Sequence, residues 1–303
     1  MQELIRRSEA IERDAWLDLY QHAPAPLLER LGLSAVERRG VTLLRASNVD
    51  HFLLNRAIGL GTWAVPTPET VDAVVEHFVE RSIHRFWIHA GSHLRDSELL
   101  RLLTKHGVIR YHRSWMKLVR PSAPVSEAAC ELAVRLARPE DARRVGHIVA
   151  RAFDLPEEAG PLFAAGIGRE GWHYFVAEQR QDVVAVGALY VRGVDASLAF
   201  AATAPAARRK GSQRALMAAR LKRAQALGCS HAFTETGMPI EGQPGSSYRN
   251  MLRAGFDELC VRDNFAPEGA RWQSQSSSDA IAKSVGSPTR SIRLPKAEAR
   301  SGT

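Results

Sequence analysis

The segment ATAPAARRKGSQRAL, residues 202–216, joins an apolar strand to a helical pattern through a proline, three consecutive cations and a glycine. A strand that turns through such a loop into a helix is a unit of α/β architecture, because the helix can fold back over the sheet. The same alternation runs through most of the chain. VTLLRA (41–46), HFLLN (51–55) and RFWIHA (85–90) read as strands, and ETVDAVVEHFVERS and DSELLRLLTKHG carry helical periodicity. VIRYHRSWMKLVR (108–120) reads as one long strand. PSAPVSEAAC (121–130), rich in Pro, Ser and Ala, reads as a linker. A second round follows: LAVRLA, PEDARRVGHIVARAF, the strand pair WHYFVAE and VVAVGALYV, ASLAFAAT, a helix over 211–227, CSHAFTE, SSYRNMLRA and FDELCVRDNF.

The pattern predicts an α/β fold with a mixed sheet in two halves, 1–120 and 131–266. The polar, basic segment 267–303 has no periodic apolar residues and is expected to be disordered. With 45% apolar and 24% charged residues, the bulk reads as a soluble globule. The net charge of +8 is spread along the chain, and no aromatic–basic RNA motif accompanies it, so a solvated surface is the reading and nucleic acid is not an expected partner. No run approaches the roughly 18 apolar residues that span a bilayer, so no membrane is expected. Cys130, Cys229 and Cys260 are far apart and odd in number, which suits a reducing cytoplasm.

The loop carries the chemistry. A helix N-terminus presents unpaired N–H groups and about half a positive charge. Glycine lets a ligand approach the backbone closely. Arg208, Arg209, Lys210, Gly211, Ser212, Gln213 and Arg214 together read as a receptor for a polyanion such as a pyrophosphate, or as a solvent-facing basic turn. A triphosphate P-loop does not fit, because Lys210 precedes Gly211. The dinucleotide fingerprint fails too, since three spaced glycines are absent.

Pro205, Arg208, Gly211 and the following Ala-Leu resemble the acetyl-CoA loop of the GNAT-fold N-acetyltransferase superfamily. VRLARPEDARRVGHIVARAF is similar to that family's opening strand and helix, WHYFVAEQRQDVVAVGALYV to its second and third strands, and YRNMLRAGFDEL to its closing helix, Gly-Phe turn and strand. The resemblance covers residues 131–265. It implies an enzyme that moves an acetyl group from acetyl-CoA directly to an amine, and a small-molecule amine is expected over a protein amine, which stays open as the alternative. It also implies a backbone oxyanion donor near Ala202 and Thr203. No metal is expected.

The match has two departures. Gln213 stands where the family has Gly or Ala, so its side chain must point away or join the contact. Met251 stands where many members carry the tyrosine that protonates the leaving thiolate. Tyr248, one turn earlier, is the candidate replacement, or a packing residue. Glu235, at the end of a strand beside the expected acetyl site, is the candidate base, or has a structural role. Residues 36–120 follow a similar order without the glycine–cation loop, and read as a degenerate second copy, with NRAIGLGTWAVP (55–66) as a wall of the cleft. His89 and His93 have metal spacing only if helical, and their run starts as a strand. Ser246 and Ser247 have no His-Asp partners for a hydrolase triad. The rival to the enzyme is a catalytically decayed acyl-CoA-binding module.

Overall fold

The computed structural model describes residues 1–94, 98–125, 130–238 and 245–272. Helices α1 (Gln2–Gln21) and α2 (Ala25–Leu31) precede β1 (Leu33–Arg38), β2 (Val41–Ala46), β3 (Arg56–Ile58), α3 (Pro68–Val79), β4 (Trp87–Gly91), α4 (Glu98–Lys105), β5 (Val108–Arg110) and β6 (Trp115–Pro121). The second half comprises β7 (Ala133–Leu136), α5 (Ala142–Ala152), α6 (Gly160–Ala164), β8 (Trp172–Gln179), β9 (Asp182–Arg192), β10 (Asp195–Thr203), α7 (Ser212–Ala226), β11 (His231–Gly237), α8 (Ser246–Arg253) and β12 (Asp257–Pro267). Local chemistry sets several boundaries. Thr67 Oγ1 accepts the Thr70 amide ahead of Pro68 and so caps α3. Asp141 accepts the Arg138 amide at 2.7 Å in the turn that leads into α5.

The strands form one mixed sheet in the order β1-β2-β3-β4-β12-β6-β11-β10-β9-β8-β7, with β5 on the far end of β12. Read from either end towards the β12–β6 pair, the order has the same pattern. A parallel pair, β3–β4 or β10–β11, is flanked by an antiparallel strand from the other half. Strand β6 lies against β11, with Ala232 opposite Arg120, and β12 lies against β4, with Asn264 opposite His89. Each half therefore supplies a strand to the other's sheet. The expected division between 1–120 and 131–266 is not a divide in the sheet, because ladder hydrogen bonds run continuously across it.

Two layers of helix cover the sheet. On one face α1, α5 and α6 bury Leu19, Tyr20, Val145, Val149 and Phe163 against Tyr174, Val176 and Val186. On the other, α7 and α8 pack Met217, Leu221 and Met251 against Leu118, Leu198 and Phe256. A separate core under α3 and α4 joins Val71, Val75, Phe78, Leu99 and Leu103 to Val41, Leu43 and Ile88. Each such side chain contributes about 1.5–3 kcal/mol on burial.

Several expectations change. HFLLN is a run of turns rather than a strand, held by the buried Asn55 side chain, which accepts from the Ala46 amide and donates to the Val49 and His51 carbonyls. The stretch 108–120 is two strands, because its register against β12 shifts between Arg110, opposite Phe265, and Trp115, opposite Arg262. The linker is anchored at its start: Arg120 donates to the Ala123 and Pro124 carbonyls. Residues 126–129 lie outside the described residues. The expectation of disorder from residue 267 onward fails through Trp272. That indole stacks on Phe52 and Trp87 and donates to Asp154 at 3.0 Å. Residues 273–303 lie outside the described residues.

Candidate active site

β10 and β11 pair in parallel only over Asp195–Ser197 and His231–Phe233. They then part. At the parting point Thr234 Oγ1 donates to the Leu198 carbonyl at 3.1 Å. A bulge falls between Leu198 and Ala201, after which β10 resumes its register with β9. The Ala204 amide donates to the Val184 carbonyl of β9, so by alternation the Ala202 amide also faces β9. The Thr203 and Ala201 amides face the opening. Of the two expected oxyanion donors, the Thr203 amide thus faces the opening and the Ala202 amide faces β9. The bulge shifts the alternation by one residue, and no pattern of side chains announces it.

The opening leads to the loop. Pro205–Ala207 form a 3₁₀ turn, Arg208 is extended, Arg209 and Gly211 take positive φ of 65° and 81°, and α7 begins at Ser212. Gly211 is thus the N-cap rather than the first helical residue, and its left-handed φ favours a residue without Cβ. The Lys210 carbonyl is pinned by the Glu131 amide. The amides of Gly211, Ser212, Gln213 and Arg214 make no backbone hydrogen bond among the described residues. Arg208, Arg209 and Arg214 are exposed and Lys210 is half-buried. None of the four cations has an acidic partner among the described residues.

A cavity of about 230 Å³ occupies the opening and is lined from both faces of the sheet. On the α7–α8 side stand Gln213, Met217, Arg220, Ser247 and Met251. On the other side α1 supplies Ser8, Glu12, Trp16 and Leu19, with Phe153, Phe163 and Trp172. The expected wall at 55–66 is not there. Trp63 instead packs into the space left by Gly59 and donates to the Gly40 carbonyl. The first half walls the cavity through α1, Leu53, Trp115 and Lys117.

Glu235 lines the cavity, at the edge of a buried ionic cluster. Its carboxylate pairs with Arg262 and lies 3.7 Å from Lys117 and 3.9 Å from Arg56. Glu12 meets Lys117 at 2.5 Å, Arg262 at 2.6 Å and Arg56 at 3.0 Å. Glu9 completes the set through Arg262 and Lys117. Three carboxylates face three cations, so the cluster is electroneutral. Burial opposes the charge on Glu12, but Arg262, Lys117 and Arg56 together hold it well below the usual carboxylate range. Burial wins at Glu235: it pushes the carboxyl up against Arg262, and Glu12 adds to the rise.

Tyr248 is not among the residues lining the cavity. Its hydroxyl donates to Glu258 on β12, which raises the phenol's pKa, and its ring joins the core under α8. The α8 side chains that line the cavity are Ser247 and Met251, one turn apart. Gln213 points away from the loop: Nε2 donates to Ser247 Oγ at 3.2 Å and Oε1 accepts from Asn250 at 2.8 Å. Glu12, Lys117 and Arg262 escaped the sequence reading, and Ser247 was weighed there only for a hydrolase triad. The first three sit on elements assigned to other domains or roles, and Ser247 lacked a signal beyond its spacing from Met251. His89 is buried against Asn264 at 2.7 Å, and burial holds its imidazole well below the usual range.

Residues 132–241 match the model of the acetyltransferase (GNAT) family. No curated protein matches the chain. Among solved structures, a GCN5-related N-acetyltransferase from Kribbella flavida is similar in fold at 18% identity and a TM-score of 0.56, over 80% of this chain and 93% of that one. A GCN5-related N-acetyltransferase from Sphaerobacter thermophilus gives 16% identity and a TM-score of 0.54, over 77% of this chain and 75% of that one. A Drosophila protein gives 12% and 0.54, over 88% and 90%. Such similarities cover both halves of the chain.

Proposed function

With residues 132–241 forming a domain of the acetyltransferase (GNAT) family, we propose that the chain is a coenzyme A-dependent N-acyltransferase that moves an acyl group, acetyl in the simplest case, directly to an amine. The observation that carries this reading is the parting of β10 and β11 above a bare helix N-terminus. Four amides and four cations that have no partner among the described residues suit a diphosphate. The narrow opening between the strands suits the extended arm that carries the thioester.

Each residue then has a task. The Ala201 and Thr203 amides face the place where the thioester oxygen gathers charge. Glu235 takes the proton of the attacking amine, and its raised pKa brings it closer to neutrality, where a general base works best. Ser247 Oγ already accepts from Gln213, which leaves its own O–H to donate to the departing sulfur. The acceptor enters past α1 on the aromatic side, and a small molecule fits that enclosed chamber better than a protein lysine. The three cysteines are free, as in a cytoplasmic protein. Among the described residues no helix is long and apolar enough to cross a membrane.

The first half reads as a second copy that lost the ligand. Its parallel pair β3–β4 matches β10–β11, but α3 is capped by its own Thr67 and Trp63 fills the glycine loop before it. Calorimetry with coenzyme A on the intact protein and on Gly211→Trp tests the site. Binding by the intact protein and loss in the folded variant are expected. Equal affinity in both places the ligand elsewhere. Binding without turnover of any amine favours the acyl-CoA-binding module, a reading that the engagement of Tyr248 with Glu258 supports.

A further inference from the structure

Arg220 is a buried cation with no counter-charge among the described residues. It lies on α7, whose sequence SQRALMAARLKRAQA holds cations and no acid, and only 4% of its surface is exposed. Nε donates to the Leu216 carbonyl at 3.1 Å and Nη1 to the Ala188 carbonyl at 3.2 Å. These are neutral acceptors. Nη2 makes no hydrogen bond among the described residues, and the side chain lines the cavity. The guanidinium rests over Gly187, where a Cβ would come within 2.9 Å of Nε. Burial lowers its pKa to about 10, which still leaves it charged at neutral pH. A guanidinium removed from water without an anion is strongly unfavourable, and the protein supplies no carboxylate among the described residues. The facing elements do not help. The acid at the near end of β10, Asp195, is taken by Arg7, and Glu258 is taken by Tyr248.

Its position along the opening identifies what it faces. Arg220 lies eight residues beyond Ser212, about 12 Å along the helix at 1.5 Å per residue. The carbonyl it holds, that of Ala188, lies opposite the bulge, between Leu189, which pairs with Leu198, and Gly187, which pairs with Ala201. That is the depth of the acyl end, not of the diphosphate. It is also the α7 side of the sheet, with Gln213 and Ser247, rather than the α1 side where the acceptor enters.

We propose that Arg220 receives a carboxylate on the distal end of the acyl group, so that the preferred donor is a coenzyme A thioester of a short dicarboxylic acid, of malonyl or succinyl size, rather than acetyl-CoA. The inference rests on the coenzyme A reading above and narrows its acyl group. The amine nitrogen bonds to the thioester carbon, the carbon–sulfur bond breaks with its electron pair going to sulfur, and Glu235 accepts the amine proton. The distal carboxylate is unchanged throughout and ends on the amide product. The charge-assisted, two-point geometry of guanidinium with carboxylate supplies the discrimination.

The test compares kcat/KM of the intact protein for succinyl-CoA against butyryl-CoA and for malonyl-CoA against propionyl-CoA, over amines with and without a carboxylate. A preference of at least about tenfold for the charged thioester is expected, given the strength of such bonds. Arg220→Met loses that preference, and Arg220→Lys keeps part of it. Equal rates with charged and neutral thioesters in the intact protein overturn the proposal, whether or not either variant folds. A preference that follows a carboxylate on the amine overturns it as well, and moves the anion to the acceptor. Failure of coenzyme A and all the thioesters to bind removes the underlying reading too, whereas tight binding without discrimination removes the proposal alone.

Discussion

Lys117 Nζ lies 2.5 Å from Glu12 Oε2, tying the strand that the first half lends to the second to the first helix of the chain. Both groups are buried, and both line the cavity. Removing one partner strands the other charge, and such losses run to about 3–5 kcal/mol. Lys117→Met and Glu12→Gln are each expected to lower stability by that order. The double variant should cost less than the sum by about 1–3 kcal/mol, the usual coupling of contacting residues. Denaturant midpoints measure all four states. The sign with pH follows from Glu12. Its folded pKa is held down, so its contribution is complete above the usual carboxylate range and is lost as pH falls through the folded value. Additive losses at neutral pH would show that the contact contributes nothing of its own.

The exchange of β6 and β12 predicts how the chain divides. A fragment of residues 131–303 leaves β11 without its neighbour β6, and a fragment of residues 1–125 leaves β4 without β12. Each then exposes an open strand edge beside an apolar core, which favours aggregation. Neither fragment is expected to give a cooperative melt alone, and mixing the two during refolding should restore one. Independent, sharp transitions for the separate fragments would contradict this.

The legible parts of the fold were those with local causes. The alternation of strand and helix, the loop at 205–211 and the helix after it follow from neighbouring residues, and the structure places them as expected. The exchange of strands was not legible, because β6 reads the same whether it pairs with its own half or the other. Glu12 illustrates the point for the site. In the sequence it is one charge on an amphipathic helix, and only tertiary packing sets it among Arg56, Lys117 and Arg262. Tyr248 lies off the cavity for a finer reason. Residues three apart on a helix are displaced by about 60° in azimuth, which follows from 3.6 residues per turn, and here that angle separates the cavity from the core. Ser247, four residues before Met251, shares its side more closely.

That geometry predicts the outcome at α8. Tyr248→Phe should keep turnover within about threefold, since the hydroxyl it loses serves Glu258 on the protein's own surface. Ser247→Ala should lower kcat by about tenfold with little change in KM, the signature of an interaction made only as the sulfur departs. Steady-state rates on both variants decide the assignment. A large loss in Tyr248→Phe with none in Ser247→Ala would restore the tyrosine to the acid role.

With Glu235 as the proposed base, its environment fixes the direction of the pH dependence. Burial raises its pKa, and Arg262 only partly offsets the rise. A base must be deprotonated to act, so kcat/KM should climb with pH through a limb that lies above the usual carboxylate range rather than within it. Glu235→Gln removes the proton acceptor and with it that limb, lowering kcat/KM by about 10²–10⁴-fold at neutral pH. The same substitution leaves Arg262 its contacts with Glu9 and Glu12, so the variant should remain folded and bind coenzyme A as the intact protein does. Glu235→Asp keeps a carboxylate one methylene shorter, and should retain the limb with a reduced rate. A pH profile unchanged by Glu235→Gln would mean that the amine loses its proton to water, with the carboxylate serving only to hold Arg262.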